Sequence, residues 1–297
     1  MKFASIDIGS NAVRLLFTKV FEDGDGTVFK KDSLVRMPIR LGKDVFNTKK
    51  VSKEKIDNLV NTMIAFKYLI DAYNPIDYKA CATSAMREAA NRNEIVRLIK
   101  KKSDIDVEII DGKREAEIIY ENHIAEKLNP KKNYLYIDVG GGSTELTLIS
   151  RLEVISSQSF DIGTVRILED KVTKSQWQEM KGWIEQNTKG YKSIAGIGSG
   201  GNINKIFKMS LKKGDQPLSY KNIKSIYKTL DSYGYEERIT KLGLRPDRAD
   251  VIIPAAKIYL SVLKWADSKK LYVPQIGLSD GIIHVLYEKH KRKHINL

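Results

Sequence analysis

The chain of 297 residues carries 51 Lys+Arg against 37 Asp+Glu, a net charge of +14, and is 42% hydrophobic, 8% aromatic and 30% charged. The length fits two domains, and with a mean hydropathy of −0.35 the apolar share is that of a folding chain, which excludes wholesale disorder. No apolar run approaches the ~20 residues of a bilayer span, and the lone Cys81 excludes an internal disulfide and a cysteine-cluster metal site. Met1–Asp7 reaches an acidic residue at once, so no export signal is expected and the cytoplasm is the expected location. The charge is uneven: residues 1–122 hold 22 basic and 19 acidic side chains, residues 123–297 hold 29 and 18. Such a field gathers anions, whether nucleic acid, acidic lipid or polyphosphate compounds.

In chain order, Lys2–Ile8 and Val13–Val20 read as strands joined by a Gly-Ser-Asn turn, and Asp23-Gly24-Asp25-Gly26 as a further turn. A helix is predicted over Ser52–Ala72, ended by Asn74-Pro75. A strand near Asp77–Ala82, a helix Ser84–Lys101, a strand Val107–Ile110 and a helix Lys113–Leu128 complete the first half. After the break at Asn129-Pro130 the opening pattern returns, with Tyr134–Asp138 as a strand, Gly140–Ser143 as a turn and Glu145–Ser150 as a strand. Ile6-Asp7-Ile8-Gly9-Ser10 and Ile137-Asp138-Val139-Gly140-Gly141 are the same unit about 130 residues apart, which points to two like domains. Strands near Glu153–Phe160, Ser193–Ile197 and Leu271–Gln275 follow. Helices are predicted near Lys174–Lys189, Asn202–Met209, Tyr220–Tyr233 and Arg248–Ala266, and from Asp280 onward.

Gly9-Ser10-Asn11 and Gly140-Gly141-Gly142-Ser143-Thr144 are turns whose backbone amides can meet a phosphate without a side chain intervening. Neither is a Walker loop or a dinucleotide fingerprint, since no Gly-Lys-[Ser/Thr] follows and a strand, not a helix, comes next. Gly196-Ile197-Gly198-Ser199-Gly200-Gly201-Asn202 leaves a strand and enters a helix, a place for an anion or nucleotide. Asp7 and Asp138 would project from the two turns toward a shared cleft, and carboxylates facing phosphate imply an intervening Mg²⁺. The plainer alternative is an Asx bond from each Asp to its own turn. Glu115 shares a helix face with Ile118 and Ile119, so it is paired, solvated in a cleft, or used; capping is the alternative. Arg14, Arg87 and Arg166 flank turns and offer forked donors for phosphate, although surface ion pairing is the usual fate of an Arg. His123, His284, His290 and His294 fit no metal spacing.

These motifs resemble the exopolyphosphatase / guanosine pentaphosphate phosphohydrolase (Ppx/GppA) family, within the actin–hexokinase–Hsp70 superfold. Asp7–Leu15 is similar to its first phosphate loop and Asp138–Glu145 to its second. Ala82–Glu88, Gly163–Arg166, Arg248–Pro254 and Leu278–Gly281 are similar to further family segments. The resemblance implies an α/β fold of two ribonuclease-H-like domains flanking a central cleft, residues 1–122 and 123–297, with a final helix near 281–297 packing back on the first. It implies a cytoplasmic exopolyphosphatase releasing terminal orthophosphate, with Glu115 activating water and Arg87 assisting. Asp7, Asp138 and Glu145 would hold Mg²⁺ or Mn²⁺. Gly9, Ser10, Asn11, Arg14, Gly140, Gly141, Gly142, Ser143 and Thr144, with Gly198, Ser199, Gly200 and Gly201, would bind phosphate. Guanosine pentaphosphate is the alternative substrate, and a sensor that binds without turnover is the rival from another class. A homodimer is plausible by analogy; neither a membrane nor nucleic acid is expected as partner. Many members carry Glu-Glu-Ala-Arg where this chain has Arg114-Glu115-Ala116-Glu117, and Ala12 stands where a Ser is often found.

Overall fold

The computed structural model describes residues 1–24, 26–120 and 128–295. The chain divides into two compact units, Met1–His123 with Leu278–Leu297, and Ile124–Gly277. The first unit runs β1 (Lys2–Ile8), β2 (Val13–Asp23), β3 (Gly26–Met37), α1 (Leu41–Thr48), α2 (Lys53–Tyr73), β4 (Asp77–Ala82), α3 (Ser84–Glu88), α4 (Arg92–Ser103), β5 (Val107–Ile109) and α5 (Gly112–Tyr120). The second runs β6 (Asn133–Val139), β7 (Thr144–Ser150), β8 (Glu153–Phe160), α6 (Thr164–Leu168), α7 (Lys174–Thr188), β9 (Ala195–Ser199) and α8 (Gly201–Met209). It continues with β10 (Leu218–Ser219), α9 (Tyr220–Asp231), α10 (Tyr235–Thr240), α11 (Pro246–Ala249), α12 (Ile252–Trp265) and β11 (Lys270–Tyr272). The last helix, α13 (Leu278–Ile295), belongs to the first unit.

The strand order is β3-β2-β1-β4-β5 in the first sheet and β10-β11-β9-β6-β7-β8 in the second. In each, a three-stranded antiparallel meander is followed by parallel strands on its inner edge: β4 and β5 beside β1, β9 and β11 beside β6. The duplicated opening motif is therefore a duplicated half-sheet, and each Gly turn is the first hairpin of its unit. β1 and β6 are buried along almost their whole length, as strands covered on both faces must be. In the second unit Leu135, Ile137, Leu146 and Leu148 of the sheet pack with Met180, Ile184, Ile203, Ile206, Ile258 and Val262 of the helices.

The last helix is tied to the first sheet by side chains from one face. Tyr287 meets Phe3 edge-on, His284 stacks on Phe29 at 3.7 Å between ring centres, and the Ser5 hydroxyl donates to the Ser279 carbonyl at 2.8 Å. It also crosses α5 so closely that a Cβ on Gly281 would lie 2.1 Å from the Ile118 carbonyl oxygen. Only a glycine permits that approach.

Several elements depart from the sequence reading, and α1, α6, β10 and α10 were not predicted. β3 was not predicted, because as an edge strand it carries Lys30, Lys31 and Asp32 and shows no clean alternation. The predicted helix over Ser84–Lys101 is two helices, broken where Ala89 turns extended and Asn91 bonds both ways with the Val51 backbone at 3.1 and 3.0 Å. The helix over Arg248–Ala266 likewise splits into α11 and α12. The far end of the helix predicted over Lys113–Leu128, His123 and the 122/123 boundary lie outside the described residues. Gly281→Ala is expected to lower stability in urea unfolding by about 1–3 kcal/mol through overpacking. Gly182→Ala, on α7 with nothing near its missing Cβ, should raise it by about 0.5–1 kcal/mol.

Candidate active site

The second-unit hairpin sets the chemistry. β6 and β7 pair with Val139 opposite Thr144 and Asp138 opposite Glu145, and the turn between them closes with the Gly140 amide donating to the Ser143 carbonyl at 2.9 Å. Directly opposed residues of an antiparallel pair share a face, so the two carboxylates stand side by side, Asp138 8% and Glu145 2% exposed. The Ser159 hydroxyl, opposite Glu145 on β8, donates to Glu145 Oε1 at 2.8 Å. Thr144 Oγ1 donates to the Ile162 carbonyl, so its hydroxyl faces structure and not the turn mouth.

The start of α6 clamps this turn from behind. The Thr164 and Val165 amides donate to the Gly140 and Gly141 carbonyls at 3.0 and 2.8 Å, and buried Arg166 donates from Nε to the Gly142 carbonyl at 2.6 Å. With three carbonyls held on that side, the shape of the turn is fixed. Gly163 lies so close that a Cβ would fall 2.4 Å from Gly141 O.

On the adjacent strand Ser199 pairs with Asp138, and Gly200, at φ +103°, turns the chain into α8. A Cβ on Gly200 would sit 3.3 Å from Asp138 Oδ1. Beneath, the Tyr259 hydroxyl shares its proton between the Ser199 carbonyl at 2.6 Å and the Ile137 carbonyl at 3.2 Å, tying β6 to β9 just below Asp138. Complete burial, with the Asp138 charge adding to it, pushes this hydroxyl well above its ordinary pKa, so it stays a neutral donor. Gly198 lies inside β9, not in a loop, where a Cβ would meet Tyr259 and Ile203 at 3.1 and 3.2 Å. The absence of a side chain at Gly198 is thus what lets Tyr259 and Ile203 pack there.

The first-unit hairpin repeats the geometry with different chemistry. Gly9 N–H donates to the Ala12 carbonyl at 3.1 Å, and Asp7 stands opposite Arg14 at the position that Asp138 and Glu145 hold in the second. Arg14 Nη1 meets Asp7 Oδ2 at 2.5 Å. Asp7 is thereby matched by a guanidinium, and Arg14 by a carboxylate. The turn is braced by Gly42 N–H to the Ser10 carbonyl at 2.8 Å, Arg40 N–H to the Asn11 carbonyl at 3.1 Å, and a 2.9 Å bond between the Ser10 and Ser84 hydroxyls. Ser10 and Asn11 keep backbone amides as their contribution; the buried methyl of Ala12 takes no part.

Glu115 sits in the first turn of α5, 8% exposed, with Ile118 and Ile119 buried below it. Asp111 caps the helix by accepting from the Arg114 amide at 2.7 Å. Arg87, in the last turn of α3, donates to the Ile110 carbonyl at 2.8 Å and places Nη1 3.9 Å from Glu115 Oε2. Arg114 pairs with Glu117 at 3.1 Å. The two residues that depart from the common Glu-Glu-Ala-Arg pattern thus neutralise one another along the helix.

Two buried carboxylates held opposite each other cost energy that a divalent cation relieves, and an all-oxygen donor set suits Mg²⁺ or Mn²⁺. Asp138 and Glu145 fit that requirement, with Ser159 orienting Glu145.

The sequence profile of the Ppx/GppA phosphatase family matches residues 28–290. The chain belongs to the Ppx/GppA phosphatase family. It is 32% identical over 199 residues to a bifunctional 3-dehydroquinate synthase/phosphatase of Fusobacterium nucleatum, a match covering 63% of this chain and 30% of that protein. It is 29% identical over 177 residues to exopolyphosphatase 2 of Mycobacterium tuberculosis, covering 57% and 54%. Each match therefore spans less than two thirds of the relative's length. A crystal structure of the Aquifex aeolicus Ppx/GppA protein superposes with a TM-score of 0.76 at 27% identity over 98% of both chains, which fixes the fold as that of the family. Within this family member, sequence reasoning missed the supports: Gly42, Gly163, Arg166 as a clamp, and Tyr259. Gly163-Thr164-Val165-Arg166 was a visible signal, but which backbone it would press on was not.

Gly163→Ala is expected to displace the Gly140–Ser143 turn and lower the unfolding free energy by about 1–3 kcal/mol, read by denaturant titration. Burial pushes the thiol of Cys81, beside Asp7 on β4, up to about 12 from 9.0. A thiol reagent should therefore leave the native protein unlabelled at mildly alkaline pH and label it in denaturant. Because the unfolded chain alone ionises above 9.0, this group's contribution to stability is full below that pH and lost as pH climbs toward about 12.

Proposed function

We propose that the protein is a metal-dependent exopolyphosphatase, removing the terminal phosphate of inorganic polyphosphate by hydrolysis. The observation that carries this reading is the buried, opposed pair Asp138 and Glu145 at the neck of a glycine turn whose carbonyls are clamped from behind. The relative named exopolyphosphatase supports the same substrate class, as does the positive charge of the chain. No described helix is long and apolar enough to cross a membrane.

In this reading the amides of Gly141, Gly142 and Ser143, with those of Gly9, Ser10 and Asn11, bind the phosphoryl oxygens. Clamping of the carbonyls by Thr164, Val165 and Arg166 sets the turn before substrate arrives, so no reorganisation is needed as charge develops. Glu115 takes a proton from water as its oxygen attacks the terminal phosphorus. The bridging P–O bond breaks, giving orthophosphate and a chain one unit shorter. Arg87 holds the Ile110 link into α5 and adds positive charge beside Glu115. A Mg²⁺ bound by Asp138 and Glu145 would supply charge neutralisation at the phosphate oxygens.

Glu115→Gln should reduce phosphate release from polyphosphate by about 10²–10⁴-fold, the span of general-base catalysis, with polyphosphate affinity retained. Chelation of divalent cations should silence the wild type reversibly. Release from guanosine pentaphosphate but not from polyphosphate would move the assignment to the nucleotide. Tight binding of either without turnover, metal present, would make the protein a sensor.

A further inference from the structure

The second unit has a second basic feature at the opposite end of its sheet from Asp138. A cavity of about 320 Å³ opens where the parallel strands β6, β9 and β11 begin, lined by Lys132, Ser193, Asp267, Lys269, Lys270 and Tyr272. The three lysines are exposed, and among the described residues none of them meets a carboxylate. Elsewhere this chain does pair its lysines: Lys55 meets Asp44 at 2.5 Å, Lys79 meets Glu108 at 2.7 Å and Lys100 meets Asp106 at 2.9 Å. The wall is also built. Buried Ser268 accepts from the Gly196 amide at 3.0 Å and donates to the Lys270 carbonyl at 3.2 Å, fixing the lysine-bearing segment to β9. The Asn133 side chain donates to the Lys192 carbonyl at 3.1 Å and brings a further lysine segment to the same edge. Residues 124–277 as a whole hold 25 basic and 16 acidic side chains.

We propose that this cavity is a second polyanion site, taking an internal stretch of the same polyphosphate chain whose terminus is hydrolysed. The inference rests on the exopolyphosphatase reading for the identity of the anion. β6 has seven residues, and at about 3.3 Å per residue the cavity and the Asp138 turn lie roughly 20 Å apart. That exceeds the Debye length of about 8–10 Å at ordinary ionic strength, so the lysines do not assist a small substrate at the turn. Only a chain long enough to bridge both places gains from them. The site therefore confers chain-length preference: it lowers KM for long chains and leaves kcat and short substrates untouched.

The test compares wild type with the triple variant Lys132→Gln, Lys269→Gln, Lys270→Gln, all exposed positions, with circular dichroism to establish that both fold. The expected result is a KM for long-chain polyphosphate raised about tenfold, with shallower salt dependence, from loss of three phosphate contacts. The kcat, and all constants for tripolyphosphate, should be unchanged. An unchanged long-chain KM overturns the proposal, as does an equal rise for tripolyphosphate. Equilibrium binding of fluorescent long-chain polyphosphate to both proteins decides the matter even where neither substrate is turned over. In that case the exopolyphosphatase reading fails on its own, while weaker binding by the variant still supports the site and equal binding removes it. Displacement of the labelled chain by single-stranded DNA as readily as by unlabelled polyphosphate would overturn the choice of ligand.

Discussion

The register of one antiparallel hairpin governs the chemistry available to this protein. With Val139 opposite Thr144, Asp138 must stand opposite Glu145, and a slip of one residue would send both carboxylates to the other face of the sheet. What prevents the slip is the turn. Its closing bond from Gly140 to Ser143 admits only two residues between, and α6 holds the Gly140, Gly141 and Gly142 carbonyls from outside. Gly163 makes the clamp possible, because any side chain there would enter the backbone of the turn. The placement of two strand carboxylates is thus fixed by backbone contacts outside their own strands.

The duplicated hairpin of the first unit shows how little sequence separates a neutral hairpin from an acidic one. Asp7 keeps the place of Asp138, but Arg14 stands where Glu145 stands, and the pair neutralises itself. Opposite charges across a strand pair stabilise it and like charges do not. The first hairpin therefore opposes a carboxylate with a guanidinium, and the second opposes a carboxylate with a carboxylate. That asymmetry is why the proposed cation would be held by Asp138 and Glu145.

The duplication, the two turns and the face of Glu115 were legible in the sequence because each is a local pattern: strand, glycine turn, strand, or an i, i+3, i+4 spacing. Ile118 and Ile119 are buried as that spacing requires. β3 was illegible because an edge strand with Lys30, Lys31 and Asp32 has no face to alternate against. The break after Glu88 was illegible because it depends on Asn91 reaching Val51, forty residues away. The packing role of Gly198 was illegible for a related reason. A glycine in a strand and one in a phosphate loop look alike until the ring of Tyr259, sixty residues on, is in place. Gly42, Gly163 and Gly281 share that character, each a glycine whose reason is another segment's backbone or side chain.

Glu115 is held by three separate segments. Its helix starts where Asp111 accepts from the Arg114 amide, its entry is held where Arg87 reaches the Ile110 carbonyl, and its second turn is crossed at Ile118 by Gly281. The three supports come from the preceding loop, from α3 and from α13, so a single displaced element moves the carboxylate without altering it. Arg114 and Glu117, the residues that differ from the usual family pattern, belong to none of them and face one another on the helix surface. A departure that leaves all three supports intact changes the charge near this carboxylate but not its position. For the proposed water-activating role position decides, since a misplacement of about 1 Å costs on the order of 10²-fold in rate.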